Sequence, residues 1–91
     1  MKLERMTIQK VIKASGVSKD GREWKRTEVV LHDVHSQVET RCVARLQQRV
    51  VEQFPDLKEG DEYDVELGLS CREYDGRFYN ELYVWQMRDP T

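Results

Sequence analysis

The sequence is poor in proline and cysteine, with two of each in 91 residues, and it has no long apolar run. No stretch approaches the about 18 consecutive apolar residues of a membrane-spanning helix, so no membrane association is expected. The opening residues, Met-Lys-Leu-Glu-Arg-Met-Thr, lack the apolar core of an export signal. A cytoplasmic protein with reduced thiols at Cys42 and Cys71 is the expectation. Those cysteines have no Cys-x-x-Cys spacing, and both fall at inward strand positions, where a thiol behaves as a small buried hydrophobe. His32-x-x-His35 adds two donors but no recognisable ligand set, so no metal is expected. Also missing are a Gly-rich phosphate loop, a metalloprotease motif and a serine nucleophile elbow. The carboxylates Asp61, Glu62, Asp64 and Glu66 read as a solvated edge. The expectation is a chain with no catalytic residue and no cofactor, and so not an enzyme.

What is present is charge, unevenly placed. Residues 1–50 carry 11 Lys and Arg against 6 Asp and Glu, whereas residues 51–91 carry 4 against 11. The net charge of −2 therefore hides a basic half and an acidic half. Such a chain can present a positive face, and it is the face that meets phosphate. The length suits one small domain, residues 1–91, with a thin core.

Period-two alternation dominates the chain. Tyr63, Val65, Leu67, Leu69 and Cys71 alternate with polar residues. Asp75-Gly76 follows, the pair that a tight type I′ hairpin turn demands. After the turn Phe78, Leu82 and Val84 share one parity, and Tyr79, Glu81, Tyr83 and Trp85 the other. Gly68 suggests a bend or bulge in the first arm. The N-terminal half reads as a second hairpin. Thr7–Ala14 is a strand carrying Ile8 and Ile12, Ser15–Arg22 is a turn, and Trp24–His32 returns. A third strand starts at Val38, with Val38, Thr40, Cys42 and Ala44 inward. Leu46, Val50 and Phe54 then recur at helical spacing until Pro55 stops the helix.

The order β-β-β-α-β-β is that of an all-β, five-stranded OB-fold barrel, whose short helix plugs one end. An open α+β sheet is the alternative, but two helical turns cannot cover five strands. OB-folds bind ligands on the outer face of strands two and three, flanked by the first and last hairpin loops. Here that face carries Trp24, Arg26, Arg41 and Arg45. Lys19 and Arg22 come from the first loop, Tyr74 and Arg77 from the last, with Tyr79 beside it. Cations track phosphates, and aromatic rings stack on bases. The competing possibility is that Trp24 covers the barrel rim while the arginines pair with Glu28 and Glu39. Tyr83 and Trp85, farther along strand five, suit packing or a subunit interface, hence a possible homodimer.

Gly60-Asp-Glu-Tyr63, the run Ser70-Cys-Arg-Glu-Tyr-Asp-Gly-Arg-Phe-Tyr79 and Val84-Trp85 resemble the C-terminal hairpin of a family of small bacterial domains of unknown function. Asp20-Gly-Arg-Glu-Trp-Lys25 resembles that family's first turn and second strand. The likeness runs from Gly16 to Met87, vaguest over Val34–Gln53. Arg72, Glu73, Tyr74, Gly76, Arg77, Tyr79, Trp85 and Trp24 match its signature positions. The resemblance implies an OB-fold related to single-stranded-DNA-binding proteins. The acidic tail by which many of those recruit partners has no counterpart before Thr91, so recruitment by that route is not expected. Two function classes stand: a binder of single-stranded DNA (or RNA) serving replication, recombination or repair, and a protein-interaction or oligomerisation module without a nucleic-acid ligand.

Overall fold

The computed structural model describes residues 1–90, and Thr91, the last residue of the expected domain, lies outside them. The elements are β1 (Lys2–Val17), β2 (Glu23–Asp33), β3 (Thr40–Leu46), α1 (Gln48–Gln53), β4 (Glu62–Tyr74) and β5 (Arg77–Arg88). They close into a barrel in the order β1-β2-β3-β5-β4. Neighbours are antiparallel except β3 and β5, which meet in parallel through Arg45–Tyr83 and Leu46–Val84. The chain is an OB-fold barrel with its helix between the third and fourth strands.

Alternation fills the interior as expected over most of the barrel. Met6 and Ile8, Val29 and Leu31, Ala44 and Leu46, Val65 and Leu67, and Val84 and Met87 all face inward. The helix adds a fully buried Val50. A six-residue helix has no stability of its own, so α1 is held from outside. The Gln47 amide donates to the Val84 carbonyl at 3.2 Å, and the Arg49 guanidinium reaches the Trp85 carbonyl. Leu46, Val50 and Phe54 all pack on the core, although Leu46 belongs to β3 and Phe54 is the C-cap.

Three β-bulges bend the strands and change the phase of the alternation. One lies between Ile8 and Lys10. Beyond it Val11 packs on the core and Ile12, at 36% exposure, faces outward. A second separates Leu3 from Met6, where Arg5 takes φ +52° and its amide donates to Asp64 Oδ1 at 2.9 Å. Asp64 is therefore buried, a correction to its expected place on a solvated edge. The third lies between Glu66 and Leu67, opposite Trp85, one residue short of the expected Gly68.

The third strand also begins later than expected. Asp33 Oδ1 accepts the amides of His35 and Ser36, at 3.0 and 3.1 Å. That local turn competes with strand pairing, so β3 starts at Thr40 and Val38 and Thr40 are both exposed rather than inward.

Both hairpins run past the barrel, and the β4–β5 hairpin does so furthest. Its register continues from Leu69–Leu82 to Tyr74–Arg77, while β1 covers β4 only up to Leu67, whose amide donates to the Met1 carbonyl. β3 meets β5 only at Tyr83 and Val84. Beyond these points the hairpin is a two-stranded ribbon with both edges open, called the arm below. The Cα radius of gyration is accordingly 14.3 Å, against about 12 Å for a compact chain of this length.

Cys71 lies on the arm and is exposed, which corrects the expectation that both thiols are buried. Cys42 is half-buried, and burial raises its pKa. A raised pKa leaves less thiolate at pH 8, and the thiolate is the nucleophile. A thiol-modifying reagent at pH 8 is therefore expected to label Cys71 in a fast phase and Cys42 in a slower one, resolved by peptide mass spectrometry. Equal rates in the folded protein would contradict the placement.

Candidate nucleic-acid interface

The predicted binding residues fall into three groups. Lys19 and Arg22 sit in the β1–β2 turn. There the Ser18 hydroxyl donates to Asp20, and that bond, helped by the Arg22 amide, holds the Asp20 carboxyl below its usual range. Arg22 Nε is 3.4 Å from the same carboxylate.

Trp24, Arg26, Arg41 and Arg45 lie on the outer face of β2 and β3. Trp24 is directly across from Gly16, and its ring fills the space a side chain there would take. A Cβ on Gly16 would come within 2.7 Å of Trp24 Cζ2. The Arg26 guanidinium lies 5.8 Å from the indole centroid, a cation–π arrangement. Its Nε is also 3.3 Å from Glu28 Oε1. Glu39 holds two neighbours, His32 at 2.6 Å and Arg41 at 3.1 Å. Arg45 lies 3.6 Å from Glu81, which comes from β5. Every arginine of this face thus has a carboxylate beside it. A cleft of ≈ 370 Å³ runs between Lys25, Arg26, Arg45, Gln47 and Gln48.

Tyr74, Arg77 and Tyr79 stand on the arm, and the register adds a fourth residue. Arg72 is directly opposite Tyr79, and Tyr74 directly opposite Arg77. Residues opposite one another in an antiparallel pair share a face, so two arginines and two tyrosines form a chequerboard on one side of the ribbon. The tight turn that sets this register is Asp75-Gly76, with φ +53° and +76°. Among the described residues no carboxylate lies within 4.0 Å of Arg72, Arg77 or Lys19. Arg72, Glu73, Tyr74 and Tyr79 line a cleft of ≈ 320 Å³. Arg72 was not among the residues read from the sequence as binding. Counting back from Asp75-Gly76 would have placed it beside Tyr79.

The residues expected at an interface behave differently from these. Tyr83 is half-buried, and its ring lies across Gly68, its partner in register, where any Cβ would collide with it. The same device, an aromatic ring laid over a cross-strand glycine, therefore occurs in both hairpins, beside the turn of the first and at the barrel end of the second. Trp85 is 36% exposed at the β5 bulge. His32 and His35 are engaged by Glu39 and Glu62. Among the described residues no group of three or more His, Cys, Asp or Glu is placed to hold a metal ion, and no helix is long and apolar enough to cross a membrane.

A family model described as a domain of unknown function (DUF3127) matches residues 5–88. No curated protein is similar to the chain. Among solved structures it is similar to a small single-stranded DNA-binding protein from Streptomyces coelicolor. That likeness has 10% identity and a TM-score of 0.42, over 98% of this chain and 93% of the other.

Proposed function

The chain belongs to the DUF3127 family, and we propose that it binds single-stranded nucleic acid, DNA foremost, on the outer face of its arm and across β2 and β3, without catalysing a reaction. The observation that carries this reading is the chequerboard of Arg72, Tyr79, Tyr74 and Arg77. Tyrosines at this exposure, 72% for Tyr74 and 43% for Tyr79, offer ring faces to unstacked bases. Among the described residues, the two guanidiniums beside them have no carboxylate within 4.0 Å to displace before meeting phosphate. Trp24 and Lys19 offer the same pairing of ring and cation on the other hairpin. The arginines of β2 and β3 contribute second, because each must first leave an ion pair. Exposed pairs of that kind are worth about 0–1 kcal/mol, so phosphate can replace them.

Fluorescence anisotropy with a labelled oligo-dT at two salt concentrations tests this. Affinity is expected to fall with salt, with a log–log slope of about −0.7 per phosphate contact. Duplex DNA is expected to bind more weakly, since its bases are stacked away from the rings. No binding at low salt, or equal affinity for duplex and single strand, would reject the proposal. It would leave the interaction module, which the exposed Leu69 and Phe78 favour, as the reading to pursue.

A further inference from the structure

The two hairpins carry their rings and cations on one continuous outer surface, and strand pairing fixes its layout. Arg45 is directly across from Glu28 on β2 and from Tyr83 on β5. Because β2 runs antiparallel to β3 and β5 runs parallel to it, Trp24 and Tyr79 lie on opposite sides of that row. Each is four residues from it along its own strand. At about 3.3 Å per residue and about 4.8 Å between strands, the two positions stand roughly 28 Å apart. The molecule is 44 Å long, so this separation takes up most of its length.

The row between them has a different character. Glu28 lies 3.3 Å from Arg26, and Glu81 lies 3.6 Å from Arg45. Two carboxylates therefore stand beside the one arginine of the row, and phosphate is not favoured there. Tyr83 is half-buried over Gly68, so it offers less ring than Trp24 or Tyr79. At the two ends the balance reverses. Both rings are 43% exposed, and among the described residues Lys19, Arg72 and Arg77 have no carboxylate within 4.0 Å.

We propose that one strand is gripped at two separate places, one on each hairpin, and crosses the middle row with neither its bases nor its phosphates held. This rests on the reading of the chain as a single-strand binder and adds how the contacts are divided. A strand drawn out to about twice its helical rise of about 3.4 Å per nucleotide covers the distance between the rings in about four steps. With flanking nucleotides on the cations, the site takes about eight, inside the range of about 4–16 for one OB-fold. Each grip alone is weak. A strand long enough to reach both makes the second contact intramolecular, which raises affinity by about 10²–10⁴ with no new kind of contact. The ligand is therefore selected by length and flexibility, and its central bases are free to vary.

Anisotropy titrations of the full chain with modified thymidine oligomers test this division. An eight-nucleotide probe is expected to bind at least about 100-fold more tightly than a four-nucleotide one. Removing the fourth and fifth bases of the longer probe should cost less than the about 5- to 150-fold that losing one stacked base entails. Removing the three bases at each end instead should cost at least that much. Neutral methylphosphonates at the central linkages should leave the salt slope unchanged, whereas at the ends they should flatten it by about 0.7 per lost contact. Trp24→Ala, with circular dichroism matching the wild type, should cut the gain from four to eight nucleotides by about 5- to 150-fold. Equal costs for central and terminal changes would overturn the two-grip arrangement and leave single-strand binding standing. So would equal affinity for the two lengths, or a gain that Trp24→Ala does not change. Absence of binding by the eight-nucleotide probe at low salt would overturn both readings together.

Discussion

Replacing Arg72 and Arg77 together by glutamine is expected to flatten the salt dependence of oligo-dT binding by about 1.4 in log–log slope, two contacts at about 0.7 each. An affinity that has lost a factor scaling with salt to the power −1.4 falls by about 60-fold at 50 mM and little at 1 M. The size of the effect follows from the state of the free protein. Among the described residues neither guanidinium has a carboxylate within 4.0 Å, so each can give its full counterion release to the bound strand. Arg41→Gln should do less, because Arg41 begins 3.1 Å from Glu39 and must exchange one anion for another. Tyr79→Ala should cost about 1–3 kcal/mol at every salt concentration, since stacking releases no ions. Anisotropy titrations of the double variant and of Tyr79→Ala separate the two contributions. An unchanged slope in the double variant would remove phosphate contacts from the arm.

The second large effect concerns two leucines on the same strand and the same side. Leu67 is 2% exposed and Leu69 is 65% exposed. Leu67→Ala leaves a cavity in a small core and is expected to lose about 2–5 kcal/mol. Leu69→Ala should change stability by no more than about 0.5 kcal/mol. Urea unfolding followed by tryptophan fluorescence reads both. Similar losses for the two variants would mean that the arm packs on the barrel.

That pair also marks what alternation can and cannot tell. Period two assigns Leu67, Leu69 and Cys71 to one side of the sheet, and they are on one side. It does not say where the interior on that side stops, which depends on how far β1 and β3 reach along the neighbouring strands. Cys71 was therefore read as buried. The bulges are hidden for a related reason. Each inserts residues that keep the local pattern plausible while shifting its phase, so Ile8 and Ile12, on one parity in the sequence, end on opposite sides of the sheet. The helix was legible because Leu46, Val50 and Phe54 must meet one core whether or not their ends are helical. The turn at Asp75-Gly76 was the surest feature, since few other pairs accept positive φ at both positions. In the candidate site the aromatic residues and the cations other than Arg72 could be named from the sequence, but their partners could be only in part. Glu28 and Glu39 lie two residues from the arginines they hold. Glu81 reaches Arg45 from a strand whose parallel pairing with β3 no local pattern announces.

The open edges of the arm carry a consequence for the protein at high concentration. Unpaired amides and carbonyls along β4 and β5 are a template on which further strands can add without limit, the first step of aggregation. Charged side chains on an edge are the usual protection, because each strand added in register would bring like charge against like. Arg72, Glu73, Arg77 and Glu81 are those charges here. Arg72 and Arg77 would then have two duties, one toward a nucleic acid and one toward solubility. A chain stripped of both should still fold, and should precipitate at concentrations the wild type tolerates.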